Sequence, residues 1–312
     1  MIKFMRTITS ISLIIIVVLA VSGCATKGVS RPPEPAKQQV VQDAAVKEKA
    51  VMDNFNALMQ KKDITVQEII KYIDENIAAV SQISASTMVI QLENVQKEKL
   101  PKLQDKVGDS EAVQIALTRI YKNGLTSQAI SSIENKEVKD ILIEAQNSGF
   151  KIETAEGMYF PVIDYSAYKK YRNAVTQDIA AFMDIMAVES DKTPIKDAAL
   201  TISWSEILKR AMTQEQFIKN YGNSAKVEDI AQVLKRYTAF ALYGANNTPL
   251  FSYDTNQMVP EAKNTYLGTM FDANQGSFSK VMSEYLALLT KNDYKLTDEV
   301  QKYRNKASEE IR

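Results

Sequence analysis

Apolar residues recur at helical spacing through most of this chain, in steps of three and four between charged positions. Val51, Phe55 and Leu58 form one stripe, and Val66, Ile69, Ile73, Ile77 and Val80 a more regular one. Such spacing puts a continuous apolar strip on one face of a helix. Met88, Leu92, Val95 and Leu103 predict a third helix, which Pro101 should kink or end because proline donates no backbone hydrogen bond. Val113, Leu117 and Ile120 predict a fourth, opened by Asp109 or Ser110 and closed by Gly124, and Ile130, Ile133, Val138, Ile141 and Leu142 a fifth. Residues 150–163 break the pattern. Two short runs rich in β-branched and aromatic residues flank Ala155-Glu156-Gly157, which predicts a hairpin, with Pro161 tolerable only at a sheet edge.

Helical period then returns. Ile179, Phe182, Met183 and Met186 form one row, and Leu200, Trp204, Leu208 and Ala211 another. Val227, Ile230, Leu234, Tyr237 and Ala241 form a heptad-like row, followed by Phe278, Met282, Tyr285 and Leu289. Residues 244–249 and 253–260 read as loops, and a charged helix after Thr297 reads as peripheral. No fixed repeat is present. The expected fold is therefore all-α, a multi-helix bundle with one short β-hairpin near residues 150–163. Its expected lobes are residues 38–149 and 150–312, with the hairpin at the boundary.

The N-terminus has a different composition. Lys3 and Arg6 precede an apolar run from 11 to 21, which is interrupted by Ser12 and closed by Val21-Ser22-Gly23-Cys24. A spanning helix needs about 20 apolar residues, so the run reads as an export signal over residues 1–23. The last four residues, aliphatic, small, small, cysteine, resemble the lipobox of bacterial lipoproteins. That resemblance implies cleavage after Gly23 and lipidation of Cys24 by a diacylglycerol with palmitate-type chains. It also implies an extracytoplasmic protein anchored to the cell membrane, or to an outer membrane if the envelope has one, since Ala25 supplies no aspartate retention signal. Residues 24–37 hold Gly28, Pro32, Pro33 and Pro35 and read as a semi-stiff tether.

Composition narrows the chemistry. There is no histidine, and Cys24 is the only cysteine, so Ser-His-Asp and Cys-His catalysis, histidine-based zinc sites and intrachain disulfides are all excluded. With 38 basic and 38 acidic residues there is no cationic surplus for nucleic acid. Asp254-Thr255-Asn256 and residues 272–276 begin like calcium loops but lack the ligands required at positions five and twelve, so no metal and no cofactor is expected.

Two candidate sites remain. Glu189-Ser190 ends an apolar helix and resembles the glutamate-serine pair of lytic transglycosylases, although 192–204 reads KTPIKDAALTISW where that family carries a Gly-Leu-Met-Gln-type segment. The resemblance implies Glu189 as a catalytic acid. Tyr165, Tyr168, Lys169 and Arg172 put aromatic and cationic groups together and could bind a glycan or an anionic wall polymer. Without histidine, free thiol or phosphate-binding loop, the expectation is a non-enzymatic, membrane-anchored envelope protein that binds or scaffolds a protein or cell-wall partner. The alternative is a carboxylate-based peptidoglycan-cleaving enzyme using Glu189. A small-molecule receptor for a transporter ranks last, because the alternating strands of its usual two α/β lobes are missing.

Overall fold

The computed structural model describes residues 35–122 and 124–310, with side chains from 42 to 309. The lipobox, Cys24 and most of the proline-rich stretch lie outside the described residues. In chain order the elements are α1 (Pro35–Met59), α2 (Val66–Asn76), α3 (Gln82–Gly108), α4 (Glu111–Ile120), α5 (Ser127–Ser131), α6 (Lys136–Asn147), β1 (Phe150–Ala155), β2 (Met158–Ile163), a 3₁₀ helix (Tyr165–Tyr171), α7 (Gln177–Asp191), β3 (Ile195–Lys196), β4 (Ala199–Leu200), α8 (Trp204–Asn220), α9 (Val227–Tyr243), β5 (Gly244–Ala245), β6 (Thr248–Pro249), α10 (Pro260–Leu267), α11 (Ser277–Lys291) and α12 (Asp298–Glu310). The protein is an all-α, multi-helix fold with one hairpin of two six-residue strands at 150–163, joined by two ladders with strands of two residues each. Among the described residues no helix is long and apolar enough to cross a membrane.

Local chemistry explains most helix starts. Thr65, Ser81, Ser110, Thr126, Asn135 and Ser203 each accept a backbone N–H of the first turn with a side-chain oxygen. Thr65 and Glu68 complete a reciprocal capping box on α2. The β1–β2 turn places Glu156 at φ 51° and Gly157 at φ 77°, the left-handed pair that suits a two-residue hairpin.

Several expectations change. α1 starts at Pro35, inside the expected tether, and proline is well suited to a first helical position. α3 does not end at Pro101 but continues to Gly108: only the bond to the Lys97 carbonyl is lost there, and buried Leu92, Leu103 and Val107 hold the helix on both sides. α4 leaves helical geometry at Tyr121, ahead of Gly124, and the fifth predicted helix is two, because Asn135 caps a fresh start. Leu200 lies in β4, ahead of α8, and α10 was not foreseen. The final helix is less peripheral than its charge implied, since Val300 and Ala307 are buried in the core.

From Asp43 to Glu310 the described chain forms one compact unit; Pro35 to Gln42, the first turns of α1, belong to a separate one. Two hydrophobic clusters fill the compact unit. The first collects α2 to α6, the hairpin, the 3₁₀ helix and α7, and takes Phe217 and Ile230 from the next two helices. The second collects α8 to α12 around Trp204, Tyr237, Tyr266, Phe278 and Tyr285. The hairpin packs into the first cluster, along α3. Met186 and Ile218 touch both.

A buried ion cluster joins the two. Glu93 of α3 is 2% exposed and Lys226, just ahead of α9, is 4% exposed. Lys226 Nζ lies 2.5 Å from Glu93 Oε2 and 3.1 Å from Asp229. Lys97 reaches Glu93 Oε1 at 2.8 Å and Asp229 at 3.3 Å, and Tyr165 Oη donates to Glu93 Oε1 at 2.7 Å. Two carboxylates and two ammonium groups balance, and the Phe182 ring, 4.9 Å from Lys226 Nζ, closes the apolar side. Farther along the core, Glu215 of α8 accepts from Ser279 N at 3.1 Å and so caps α11; a Cβ at Gly276 would run into that carboxylate.

Removing Lys226 leaves Glu93 and Asp229 sharing Lys97 alone, so one negative charge at a buried site is uncompensated. Lys226→Met is expected to lower unfolding free energy in urea by roughly 3–5 kcal/mol. Adding Glu93→Gln, which removes the excess negative charge and keeps an acceptor for Tyr165, is expected to restore most of that loss. A double variant no more stable than the single one would show that the charges do not act as a pair.

Candidate functional site

The tyrosines named from sequence are placed by 3₁₀ geometry. At three residues per turn, positions i, i+3 and i+6 line one edge, so Tyr165, Tyr168 and Tyr171 all face the core and are buried. Tyr165 and Tyr168 stack at 5.6 Å between centroids, and Phe182 meets Tyr165 edge-on. Their hydroxyls are engaged inside: Tyr165 with Glu93, Tyr168 with Gln96 and Tyr171 with Asp74. Burial and the nearby Glu93 charge push the Tyr165 and Tyr168 phenols well above the ordinary tyrosine range. Lys169 and Arg172 face solvent instead and pair with Asp191 at 3.6 Å and Asp184 at 2.9 Å. The aromatic and cationic members of that candidate set therefore point in opposite directions.

Glu189 has a different setting. It sits in the last turn of α7, 11% exposed, beside a groove of about 660 Å³ between α7 and α8. Ala181, Ile185, Val188, Met212 and Phe217 supply apolar wall, and Asp184, Glu206 and Lys209 supply charge. Tyr237 of α9 donates to both Glu189 oxygens, at 2.7 and 2.9 Å. Arg210 of α8 lies 3.5 Å from Glu189 Oε1, and its Nη1 also donates to Tyr237 Oη at 3.1 Å and to the Lys192 carbonyl at 2.8 Å. Its Nε donates to Glu206 at 2.9 Å. One guanidinium thus ties the end of α7 to α8 and α9.

Burial raises the Glu189 carboxyl above the ordinary glutamate range, against the opposing pull of Tyr237, Arg210 and Arg236. For Arg210 the balance tips the other way: burial disfavours its charge, but Glu206, Tyr237 and Glu189 together outweigh it.

Gln214 adds a second unusual group. It lines the same groove, is fully buried, and neither its amide nitrogen nor its carbonyl oxygen has a hydrogen-bond partner among the described residues. Buried polar groups are nearly always paired. Sequence reading did not single out Arg210 or Gln214, although a signal existed. Both fall in the apolar row Ile207, Ala211, Phe217 of α8, where a long polar side chain must be either buried or out of register. Tyr237 carries the same signal, since a tyrosine in an apolar row must find a partner for its hydroxyl once the ring is buried.

Among the described residues no group of three or more histidine, cysteine, aspartate or glutamate side chains could hold a metal ion. No known protein family, curated protein or solved structure matches the chain.

Two outcomes follow from this geometry. Glu189 binds its proton more tightly in the folded than in the unfolded chain. Its contribution to stability is therefore full below about pH 4.3, the unfolded value, and is lost as pH rises through the raised folded value. Urea titrations across pH 4 to 8 should show the stability of wild type relative to Glu189→Gln falling as pH rises, and a difference that grows with pH would refute the assignment. Gln214→Met, which keeps length and removes the unpaired atoms, is expected to stabilise the free protein by about 1–3 kcal/mol; a loss of stability would mean the amide is satisfied in solution.

Proposed function

We propose that this chain is a bacterial envelope lipoprotein, anchored through lipid on Cys24, whose helical body binds or scaffolds a protein or cell-wall partner without catalysing a reaction. The anchor rests on the residue pattern at Lys3, Arg6 and 21–24. The binding reading rests on the α7–α8 groove, and one observation carries it: buried Gln214, unpaired among the described residues, beside an apolar wall. A ligand seated against that wall, with the Gln214 side chain turned out to meet it, gains apolar burial and a hydrogen bond together. Balanced charge gives nucleic acid no part in this reading.

Catalysis is the second reading, and burial-raised proton affinity at Glu189 beside an open groove favours it. Against it, both Glu189 oxygens accept from Tyr237, and Arg210 supplies a neutralising charge. A general acid has to present its proton to the leaving group; here the carboxyl is turned toward α9.

Two measurements test the proposal. Cells expressing the full chain and fed an alkyne analogue of palmitate should label it, and Cys24→Ala should abolish the label; equal labelling of both would remove the anchor. Mature protein incubated with purified peptidoglycan should release no muropeptides, whereas release lost in Glu189→Gln would replace the binding reading with the carboxylate enzyme.

A further inference from the structure

A second hollow, lined by different residues, lies where α9 ends and α12 passes. Its volume is about 220 Å³, below the roughly 300–1,000 Å³ that encloses a drug-sized ligand, so it suits one ring-sized unit. Tyr243, Phe251, Tyr253, Asn246, Asn256 and Arg304 line it. Tyr253 is 74% exposed, yet its hydroxyl donates to the Asn246 carbonyl at 3.1 Å, which ties the ring down across the loop. An exposed aromatic face fixed in place is a stacking platform that loses little side-chain entropy when a ligand arrives.

The frame beneath it is stiff. Gly244 has φ 76°, and a Cβ there would run into the Thr248 carbonyl oxygen, so the β5–β6 turn closes tightly. Asn247 donates to the Asp197 carbonyl at 2.9 Å and links this turn to the β3–β4 turn. Asn256, at φ 55°, is held by backbone bonds to Ser252 and Leu296.

Polar chemistry defines the ligand. The side-chain carboxamides of Asn246 and Asn256 have no hydrogen-bond partner among the described residues, and each offers both donor and acceptor. Arg304 is the one formally charged lining residue, and it is already occupied. Its guanidinium carbon sits 4.6 Å from the Tyr243 ring centroid and 5.5 Å from Phe251, and its nitrogens donate to Gln301. A guanidinium held against two rings and bonded to an amide is not free to present its fork to an anion.

We propose that this hollow binds one neutral pyranose unit of a saccharide. The C–H face of the sugar stacks on Tyr253, and the Asn246 and Asn256 amides pair with hydroxyls, which, like the amides, both donate and accept. This inference goes beyond the α7–α8 groove and does not depend on it.

The test is isothermal titration of the chain from residue 24, carrying Cys24→Ser, with chitotetraose, maltotetraose and cellotetraose, and with a proline hexapeptide as the competing ligand class. Saturable binding of at least one tetrasaccharide is expected, weakened about tenfold or more by Tyr253→Ala and about three- to tenfold by Asn246→Ala or Asn256→Ala. Tyr253→Phe, which keeps the ring, should retain most affinity, and Glu189→Gln should change nothing, which separates this site from the groove. Preference for chitotetraose would point to wall glycan, and preference for maltotetraose to a soluble glucan. Tyr253 is exposed, so its variants should melt with wild type. No saturable saccharide binding up to about 10 mM, binding indifferent to Tyr253→Ala, or tighter binding of the proline peptide would each overturn the proposal.

Discussion

Glu93 is sealed inside the protein, and a sealed carboxylate must be answered by charge and hydrogen bonds or lose its ionisation. It is answered from three directions: Lys97 one turn along α3, Tyr165 from the 3₁₀ helix, and Lys226 from the approach to α9. Those elements come from distant parts of the chain, and they must all be in register for the cluster to close. Hydrophobic packing tolerates some sliding between helices, whereas a 2.5 Å ion pair does not. The cluster therefore fixes how the second hydrophobic core is set against the first, and with it the placement of α9, whose Tyr237 holds Glu189 beside the groove and whose Tyr243 lines the second hollow.

Much of this was legible in the sequence, for identifiable reasons. Stripes such as Val66, Ile69 and Ile73, or Ile230, Leu234 and Tyr237, have a period that only a helix satisfies when one side is buried. The hairpin at 150–163 was legible because Glu156-Gly157 favours positive φ between β-rich runs. Boundaries were harder. Pro101 carries a strong local preference that tertiary packing overrode in α3, and α10 is too short to display a period. The two-residue ladders depend on backbone approaches at Asp197, Ala198 and Gly244 that composition does not display.

The candidate site was legible only as a single residue. Glu189 could be named because a carboxylate at the end of an apolar run is conspicuous. Its partners could not, because Arg210 and Tyr237 lie on other helices, and nothing local states that the three converge. Gln214 illustrates the same limit from the other side: a glutamine on a helix is unremarkable until burial deprives it of water. Periodicity says which face turns inward; it does not say which inward polar groups will meet.

The last helix has a further consequence. Val300 and Ala307 of α12 fill the second core, and Tyr303 stacks on Tyr285 of α11 at 5.8 Å. A chain made N-terminus first can assemble its first core once residue 230 is free, but the second stays open on one side until α12 arrives. Until then the rings of Tyr285 and Phe251 lack the cover that Tyr303 and Arg304 supply. Docking of α12 is thus the step that turns the second cluster from an open apolar face into a sealed core.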